Sequence, residues 1–395
     1  MINRKIDAVI LAGGQGTRIR KLAKYTPKPL VVINNKIKFL DYLINNISKY
    51  DFNNIFILAG YKGDQIYKRY NNKKVNLVNI KVVIEKKPLG TGGCLNLIKK
   101  KVSSKFILFN GDTIFDINLN EFIKNKFSPD EIYMALLKSK KKENKNNPLS
   151  KLNLKKKVIY LDNKLNFKNG GIYILYKKII EKIPEKFTSL EKDIILKKIT
   201  QNKVKGKLYK NFFLDIGTPK DFKNSKKIIP KYFLKPALFL DRDGTINIDK
   251  GYTYKFNNFE FYSKTLNFLK KITKKNYYIF IITNQAGIAK GKFTIEDFYK
   301  LHIRLKSFFI RKNIFFNEVA FCPYHPNAKI KKYKKKSNYR KPGNLMIENI
   351  KKRWNIDLKK SLMIGDKKSD ELAATKSSIK FNYFNKDLFK SFKKN

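Results

Sequence analysis

Residues 237–245 read Ala-Leu-Phe-Leu-Asp-Arg-Asp-Gly-Thr. Ala237–Leu240 is a short, unbroken apolar run, the pattern of a strand buried in a parallel sheet. Two carboxylates, Asp241 and Asp243, follow at the strand's end, and Gly244 lets the backbone turn away. Open α/β sheets bind their ligands beyond the carboxyl ends of the strands. A carboxylate at such a point can ligate Mg²⁺ and attack a phosphoryl phosphorus, since aspartyl-phosphate chemistry needs this nucleophile. Asp followed by Gly is also ordinary turn chemistry, so the stretch gains its meaning from three that come later.

Tyr278–Ile282 is a second apolar run. It ends in Thr283-Asn284-Gln285, followed by Ala286-Gly-Ile-Ala-Lys-Gly291. A hydroxyl and a neighbouring backbone N–H at a strand end can hold a phosphoryl group. Arg340-Lys341-Pro342 offers a lysine on a stiffened backbone, suited to neutralising charge in transfer. Ser361–Gly365 is one more apolar strand, ending in Asp366, with Asp370 a helical turn later. Each motif alone is weak, but the ordered set Asp-x-Asp, Thr, Lys, Gly-Asp resembles the haloacid dehalogenase-like phosphatases. That resemblance implies Asp241 as nucleophile and Asp243 as the acid that protonates the leaving oxygen and later activates water. It also implies Mg²⁺ on Asp241, the Asp243 carbonyl and Asp366, with Thr283, Asn284, Arg340 and Lys341 on the phosphoryl group or sugar.

Within that family, Thr283–Gly291, Cys322-Pro-x-His325 and Arg340-Lys-Pro342 look like the D-glycero-D-manno-heptose 1,7-bisphosphate phosphatases, with the histidinol-phosphate phosphatases as near relations. Many of these hold a structural zinc through Cys-x-His and a Cys-x-Cys before Arg-Lys-Pro. Here Tyr324, Ser337 and Tyr339 stand at those places, and one thiol cannot hold a tetrahedral structural zinc. No zinc is expected. The loop from Tyr324 to Tyr339 is expected to rest on packing and side-chain hydrogen bonds, with His325 in the loop and His302 on a helix face.

Upstream, Asp221–Lys235 reads as a helix, then Pro230, then a short run to Pro236, which places a domain boundary there. The expected domains are 1–228 and 236–395. The first opens with the buried-strand run Ile6–Ala12 and the turn Gly13-Gly-Gln-Gly-Thr-Arg18. This is neither the dinucleotide fingerprint nor a P-loop, but a Gly-rich turn after a strand presents backbone N–H groups to phosphate, and Arg18 adds charge. Thr26-Pro-Lys28-Pro29 then fixes a lysine between two prolines.

Over about residues 5–225 the chain looks like the sugar-1-phosphate nucleotidyltransferases. The resemblance implies a nucleotide site at Leu11, Ala12, Gly13, Gly14, Gly16, Thr17, Glu85 and Gly90. It places catalytic cations at Arg18 and Lys28, metal-binding carboxylates at Asp112 and Asp215, and a sugar-facing strand at Asn169-Gly170. A sugar 1-phosphate oxygen attacks the α-phosphorus of a nucleoside triphosphate and pyrophosphate leaves. Such crowding of negative charge calls for cations and amide dipoles. Glu85 is an acceptor-only carboxylate, which complements the N1–H and N2–H₂ donors of guanine, so GTP is favoured. Two departures touch the sugar side: the Arg-Tyr-Gly turn is missing from 144–157, and Asp162-Asn163 stands where many relatives carry Glu-Lys. Ser189-Leu-Glu-Lys-Asp193 opens a capped helix and resembles a segment near the sugar pocket, although an ordinary capped helix reads the same way.

Composition sets outer limits. The 395 residues, 42% hydrophobic, suffice for two or three cores. The 88 Lys and Arg against 31 Asp and Glu give +57, which invites a nucleic-acid reading. Yet the lysines are spread along the whole chain and no zinc-finger or RNP pattern occurs, so no specific nucleic-acid partner is expected. No apolar stretch reaches membrane-spanning length and no signal-peptide pattern opens the chain. Two distant cysteines, Cys94 and Cys322, offer no disulfide framework, which suits the cytoplasm.

The expected fold is α/β: a Rossmann-like, GT-A-like nucleotidyltransferase domain followed by a Rossmannoid haloacid dehalogenase-like domain. The expected function is bifunctional, with Mg²⁺ at both sites. The second domain would take the C7 phosphate from heptose 1,7-bisphosphate. The first would couple heptose 1-phosphate to GTP, giving GDP-D-glycero-α-D-manno-heptose. Two readings remain beside it: a mannose 1-phosphate or other sugar nucleotidyltransferase fused to a different phosphatase, and a basic nucleic-acid-associated protein without catalysis.

Overall fold

The computed structural model describes residues 6–14, 16, 26–139, 149, 151–162 and 166–393. They form two compact units, one up to Ile228 and one from Ile229 onward. In the first, the run Ile6–Ala12 is a strand between Asn54–Ala59 and Lys105–Asn110, parallel to both. It lies inside a ten-stranded mixed sheet. Its neighbours continue with Val78–Ile84 on one side and Phe167–Tyr176 on the other. Burial on both faces explains why Ile6–Ala12 reads as continuous rather than alternating hydrophobicity.

Two local features of this unit position chemistry. Phe167–Tyr176 pairs with Ile132–Lys138 through a register shift between Asn169 and Tyr173, and Gly171 sits there at φ +73°. A bulge of this kind re-aims the side chains beside it. Separately, Phe213–Asp215 pairs antiparallel with Thr113–Phe115, setting Asp215 opposite Thr113. That small ladder is how the fold joins Asp215 to the Asp112 segment, about a hundred residues earlier.

The second unit is a five-stranded, wholly parallel sheet. Ala237–Leu240 is the central strand. Tyr278–Asn284 and Glu318–Cys322 lie on one side of it, Leu362–Gly365 and Lys380–Tyr383 on the other. Strand order reverses at this strand, which opens a crevice at its carboxyl end. Alternate residues feed two cores. Leu238 and Leu240 pack with Phe268 and Ile272, whereas Ala237 and Phe239 pack with Ile347 and Trp354.

The boundary differs from the expectation in one respect. The helix Pro219–Phe233 runs straight through Pro230 rather than ending at it. Proline removes an N–H and crowds the preceding turn. Its carbonyl is taken up by Asn355 Nδ2 at 2.6 Å. Among the described residues no helix is long and apolar enough to cross a membrane.

Candidate active sites

At the end of the central strand, Asp241 is buried and accepts a hydrogen bond from Lys341 Nζ at 2.7 Å. The same ammonium lies 2.5 Å from Asp370 Oδ1 and donates to the Ile282 carbonyl at 2.8 Å. Lys341 is held there by a reciprocal clasp: its N–H donates to Asn284 Oδ1 and its carbonyl accepts from Asn284 Nδ2, both at 3.0 Å. Asn284 thus fixes the Lys341 backbone. Burial drives the Asp241 carboxyl up to about 7, with Lys341 opposing and Asp370 adding to the rise. Burial alone would lower Lys341, but the two carboxylates outweigh it and hold the ammonium above its ordinary range.

Asp243 faces a different environment. Arg242 grips it through Nε at 3.1 Å to both oxygens and Nη2 at 2.6 Å, with Asn247 Nδ2 at 3.1 Å and Gln285 Nε2 at 2.9 Å. Burial opposes ionisation, but the Arg242 charge and these donors keep the carboxyl below its usual range. Gln285 also donates to the Thr283 hydroxyl at 2.8 Å, tying the second strand end to the first. Gly244 has φ +87°, and a Cβ there would strike the Asp366 carboxylate. Only glycine lets the turn pass so close.

Asp241, Asp366 and Asp370 each offer an oxygen, and the three lie within 4.8 Å of one another. Asp366 Oδ1 is buried without a hydrogen-bond partner. Three carboxylates against the buried Lys341 and the more exposed Lys367, 3.8 Å from Asp366 Oδ2, with Asp366 Oδ1 unsatisfied, form a donor set that fits a hard divalent cation such as Mg²⁺. Asp370, which the sequence places a helical turn after Asp366, is the third residue of the helix Lys368–Lys376 and caps it, accepting from Lys367 N at 3.1 Å. Its second role is visible only in three dimensions. Arg242, between the two motif aspartates, and Gln285, two residues past Thr283, likewise carry no role that the sequence shows. His302 lies on the buried face of the helix Ile295–Arg311: Nδ1 bonds the Phe298 carbonyl at 2.8 Å, and burial, with the Arg242 charge, pushes it down to about 3.

The loop after Cys322 is held by Lys335 over the Tyr324 ring at 4.0 Å, by His325 N donating to the Tyr333 carbonyl at 3.1 Å, and by Ser337 Oγ accepting from Tyr339 N at 3.2 Å. Arg340 is half-buried, and burial lowers its pKa.

The first unit holds a cleft of about 680 Å³. Leu11, Ala12, Gly13, Gly14, Glu85 and Gly90 line it, and so do Lys28, Asp112 and Asp215. Gly16 does not, and Thr17 and Arg18 lie outside the described residues. Lys28 Nζ is 2.5 Å from Asp112 Oδ2. The Thr113 hydroxyl reaches Asp112 Oδ1 at 3.3 Å and Asp215 Oδ2 at 3.2 Å. Asp215 also accepts from Gly217 N. Burial, then the Asp112 charge, lifts the Asp215 carboxyl, and Lys28 opposes. Paired carboxylates facing one lysine across an open cleft suit a divalent cation carrying phosphates. Glu85 Oε2 accepts from Leu89 N at 3.1 Å. A Cβ at Gly170 would strike the Phe115 ring. Asn169 lies behind the cleft wall and reaches it through Glu191, which does line it.

Fold and sites together define a class: a nucleotidyltransferase unit followed by a haloacid dehalogenase-type phosphatase unit. Residues 7–231 match the nucleotidyl transferase family and residues 237–390 the polynucleotide kinase 3 phosphatase family. The first stretch is similar to D-glycero-alpha-D-manno-heptose 1-phosphate guanylyltransferase of Aneurinibacillus thermoaerophilus, at 31% identity over 58% of this chain and 100% of that protein. The second is similar to D-glycero-beta-D-manno-heptose-1,7-bisphosphate 7-phosphatase of Photorhabdus laumondii, at 38% identity over 36% of this chain and 77% of that protein. Among solved structures, HddC from Yersinia pseudotuberculosis aligns at 29% identity and a TM-score of 0.47, covering 56% of this chain and 99% of that one. The chain belongs to the nucleotidyl transferase family through its first unit and to the heptose-bisphosphate 7-phosphatase family through its second.

Proposed function

We propose that this chain carries out two consecutive steps toward a GDP-heptose. Residues 236–395 remove the C7 phosphate of D-glycero-D-manno-heptose 1,7-bisphosphate. Residues 1–228 then transfer GMP from GTP to the resulting heptose 1-phosphate, releasing pyrophosphate. The observation that carries this reading is the pairing in one chain of units similar to a 7-phosphatase and to a heptose 1-phosphate guanylyltransferase. The product of one is chemically the substrate of the other. The two relatives' names differ in anomer, beta for the phosphatase and alpha for the transferase. Hydrolysis at C7 leaves C1 untouched, so consecutive action requires this phosphatase to accept the alpha anomer.

In the phosphatase unit, Asp241 attacks the phosphorus and the C7 oxygen leaves with a proton from Asp243. The proton is brought in by the phosphate monoester, whose second ionisation lies near pH ~6. Asp243, ionised again, takes a proton from the water that cleaves the aspartyl phosphate and frees Asp241. Lys341 and Thr283 hold the phosphoryl oxygens. Asp241, Asp366 and Asp370, with the Asp243 carbonyl, would hold Mg²⁺, which supplies charge stabilisation for the transfer.

In the transferase unit, amides of Gly13 and Gly14 receive the triphosphate and Lys28 neutralises the α-phosphate as the sugar phosphate attacks. Glu85 accepts from guanine. Asp112 and Asp215 would hold the second Mg²⁺. A GTP-consuming reaction belongs in the cytoplasm.

The two-site division is tested with two variants. Asp241→Asn should abolish phosphate release and leave pyrophosphate release from heptose 1-phosphate intact. Lys28→Ala should lower pyrophosphate release about 10²–10³-fold, as loss of one transition-state donor does, and spare the phosphatase. Loss of both activities in either variant would sink the division.

A further inference from the structure

We propose that His302 is a positioning residue for the phosphatase reaction: its Nε2 receives Arg242 Nη1 across one buried water, and so steadies the guanidinium that aims Asp243 at the leaving oxygen. This rests on the reading of Asp243 as the general acid and gives that acid its support.

Arg242 is buried, and its three nitrogens have unequal duties. Nε and Nη2 grip the Asp243 carboxylate. Nη2 also donates to the Thr253 carbonyl at 2.9 Å and to Gln285 Oε1 at 3.2 Å. Nη1 is buried and has no hydrogen-bond partner among the protein groups. A guanidinium is a planar, rigid fork, so whatever holds Nη1 fixes the direction in which the other two nitrogens point. A buried donor on a charged group is costly to leave unpaired.

His302 supplies the complementary half. It is buried on the helix Ile295–Arg311, its ring 3.9 Å from that of Phe298 between centroids. The Phe298 carbonyl can only accept, so Nδ1, 2.8 Å away, carries the hydrogen. In a neutral imidazole that leaves Nε2 as an acceptor, and Nε2 too is buried without a partner. Burial and the nearby Arg242 charge both oppose protonation, which keeps the lone pair available. A cationic His302 would present donors on both nitrogens and could not serve Arg242.

Three more buried oxygens without partners belong to residues already bonded to Arg242: Thr245 Oγ1, Asn247 Oδ1 and Thr253 Oγ1. The Arg242 carbonyl accepts from Thr245 N at 3.3 Å and from Asn247 N at 3.2 Å, and the Thr253 carbonyl accepts from Nη2. One such atom is tolerable in a folded protein, but five gathered about one side chain make a polar pocket. Internal water occupies sites of this kind and makes about three hydrogen bonds there. Here it accepts from Nη1 and donates to Nε2, with its second hydrogen left for one of these oxygens. The support then runs unbroken from the Phe298 carbonyl through His302 and Arg242 to Asp243.

The test uses the full chain with Mg²⁺ and two phosphate monoesters. The C7 oxygen of heptose 1,7-bisphosphate must take the Asp243 proton as its bond to phosphorus breaks, whereas p-nitrophenolate leaves as a stable anion. The quantity compared is kcat/KM, which covers the steps through departure of the leaving group and excludes the later attack of water. His302→Phe keeps a ring against Phe298 and removes the acceptor. It should lower kcat/KM for the bisphosphate about 10- to 10²-fold, a share of the ~10²–10⁴-fold that a positioned general acid contributes, and that for p-nitrophenyl phosphate less than about threefold. The p-nitrophenyl rate also shows that the unit is folded. His302→Gln, whose amide oxygen takes the place of Nε2, should recover most of the loss. An equal loss on both esters would make the role of His302 structural only and overturn the assignment. So would an undiminished rate on the bisphosphate, or a His302→Gln chain as impaired as His302→Phe. A wild type that cleaves p-nitrophenyl phosphate and not the bisphosphate would overturn the proposed function instead, and β-glycerophosphate, an alkyl ester, then takes the bisphosphate's place in the comparison. A wild type inert toward all three would overturn both.

Discussion

Asp241→Asn should make the phosphatase unit more stable while inactivating it. Burial lifts the Asp241 carboxyl from the ordinary 3.8 to about 7, against the pull of Lys341. A folded state that binds a proton more tightly than the unfolded chain loses stability as pH rises between the two values. The penalty is absent below about pH 4, grows from there and is complete above about pH 7, where it reaches about 4 kcal/mol at ~1.36 kcal/mol per pH unit. Asparagine keeps the size and still accepts from Lys341 Nζ, but cannot ionise. The assay is thermal unfolding in EDTA, followed by the emission of Trp354. It is the chain's single tryptophan and is buried in the second unit's core, so it reports that unit. At about 2–4 °C per kcal/mol for a domain of this size, the variant should melt up to about 8–16 °C above wild type near pH ~8 and close to it near pH ~4. Mg²⁺ should raise the wild type by binding its folded state, and the variant much less. A variant that melts no higher than wild type near pH ~8, or gains equally at both pH values, would refute the reasoning.

Gly244→Ala forces a side chain to φ +87° and against Asp366. It should cost about 1–3 kcal/mol in the Trp354 melt and eliminate phosphate release while sparing pyrophosphate release. Arg242→Met leaves Asp243 buried without its cation, at a cost of about 3–5 kcal/mol. Because Arg242 holds Asp243 below its usual range, that stabilisation is present at neutral pH and lost as pH falls through the depressed value. The melting gap between variant and wild type should therefore be widest near pH ~7 and close in acid. Glu85→Gln should lower kcat/KM for GTP by about tenfold or more by exchanging a charged acceptor for a neutral one. Unchanged preference for GTP over the other nucleotides would remove Glu85 from base recognition.

What the sequence disclosed was what buried parallel strands impose. Ile6–Ala12 and Ala237–Leu240 appear in the structure with the limits their apolar runs suggest, because a strand covered on both faces has no polar positions to blur it. Residues at strand ends, such as Asp241, Thr283 and Asp366, follow directly from those limits. Residues that act through tertiary contact did not show. The sequence places Asp370 only a helical turn past Asp366, and it gives Arg242 no role between the two aspartates. Ser189–Asp193 reads as the start of an ordinary capped helix, and the π-helical turn that Leu190–Ile195 makes there has no 3.6-residue period to announce it. Pro230 misled in the other direction, since a local rule for ending helices yielded to packing that continues Pro219–Phe233.

The most direct test of the central claim is one incubation series: the full chain with Mg²⁺ and either anomer of heptose 1,7-bisphosphate, with each of the four common nucleoside triphosphates in turn. Phosphate, pyrophosphate and sugar nucleotide are followed together. The account predicts phosphate release from the alpha anomer in every tube, and pyrophosphate with GDP-heptose only beside GTP. Phosphate with no pyrophosphate even beside GTP, or pyrophosphate that never depends on prior phosphate release, would contradict it.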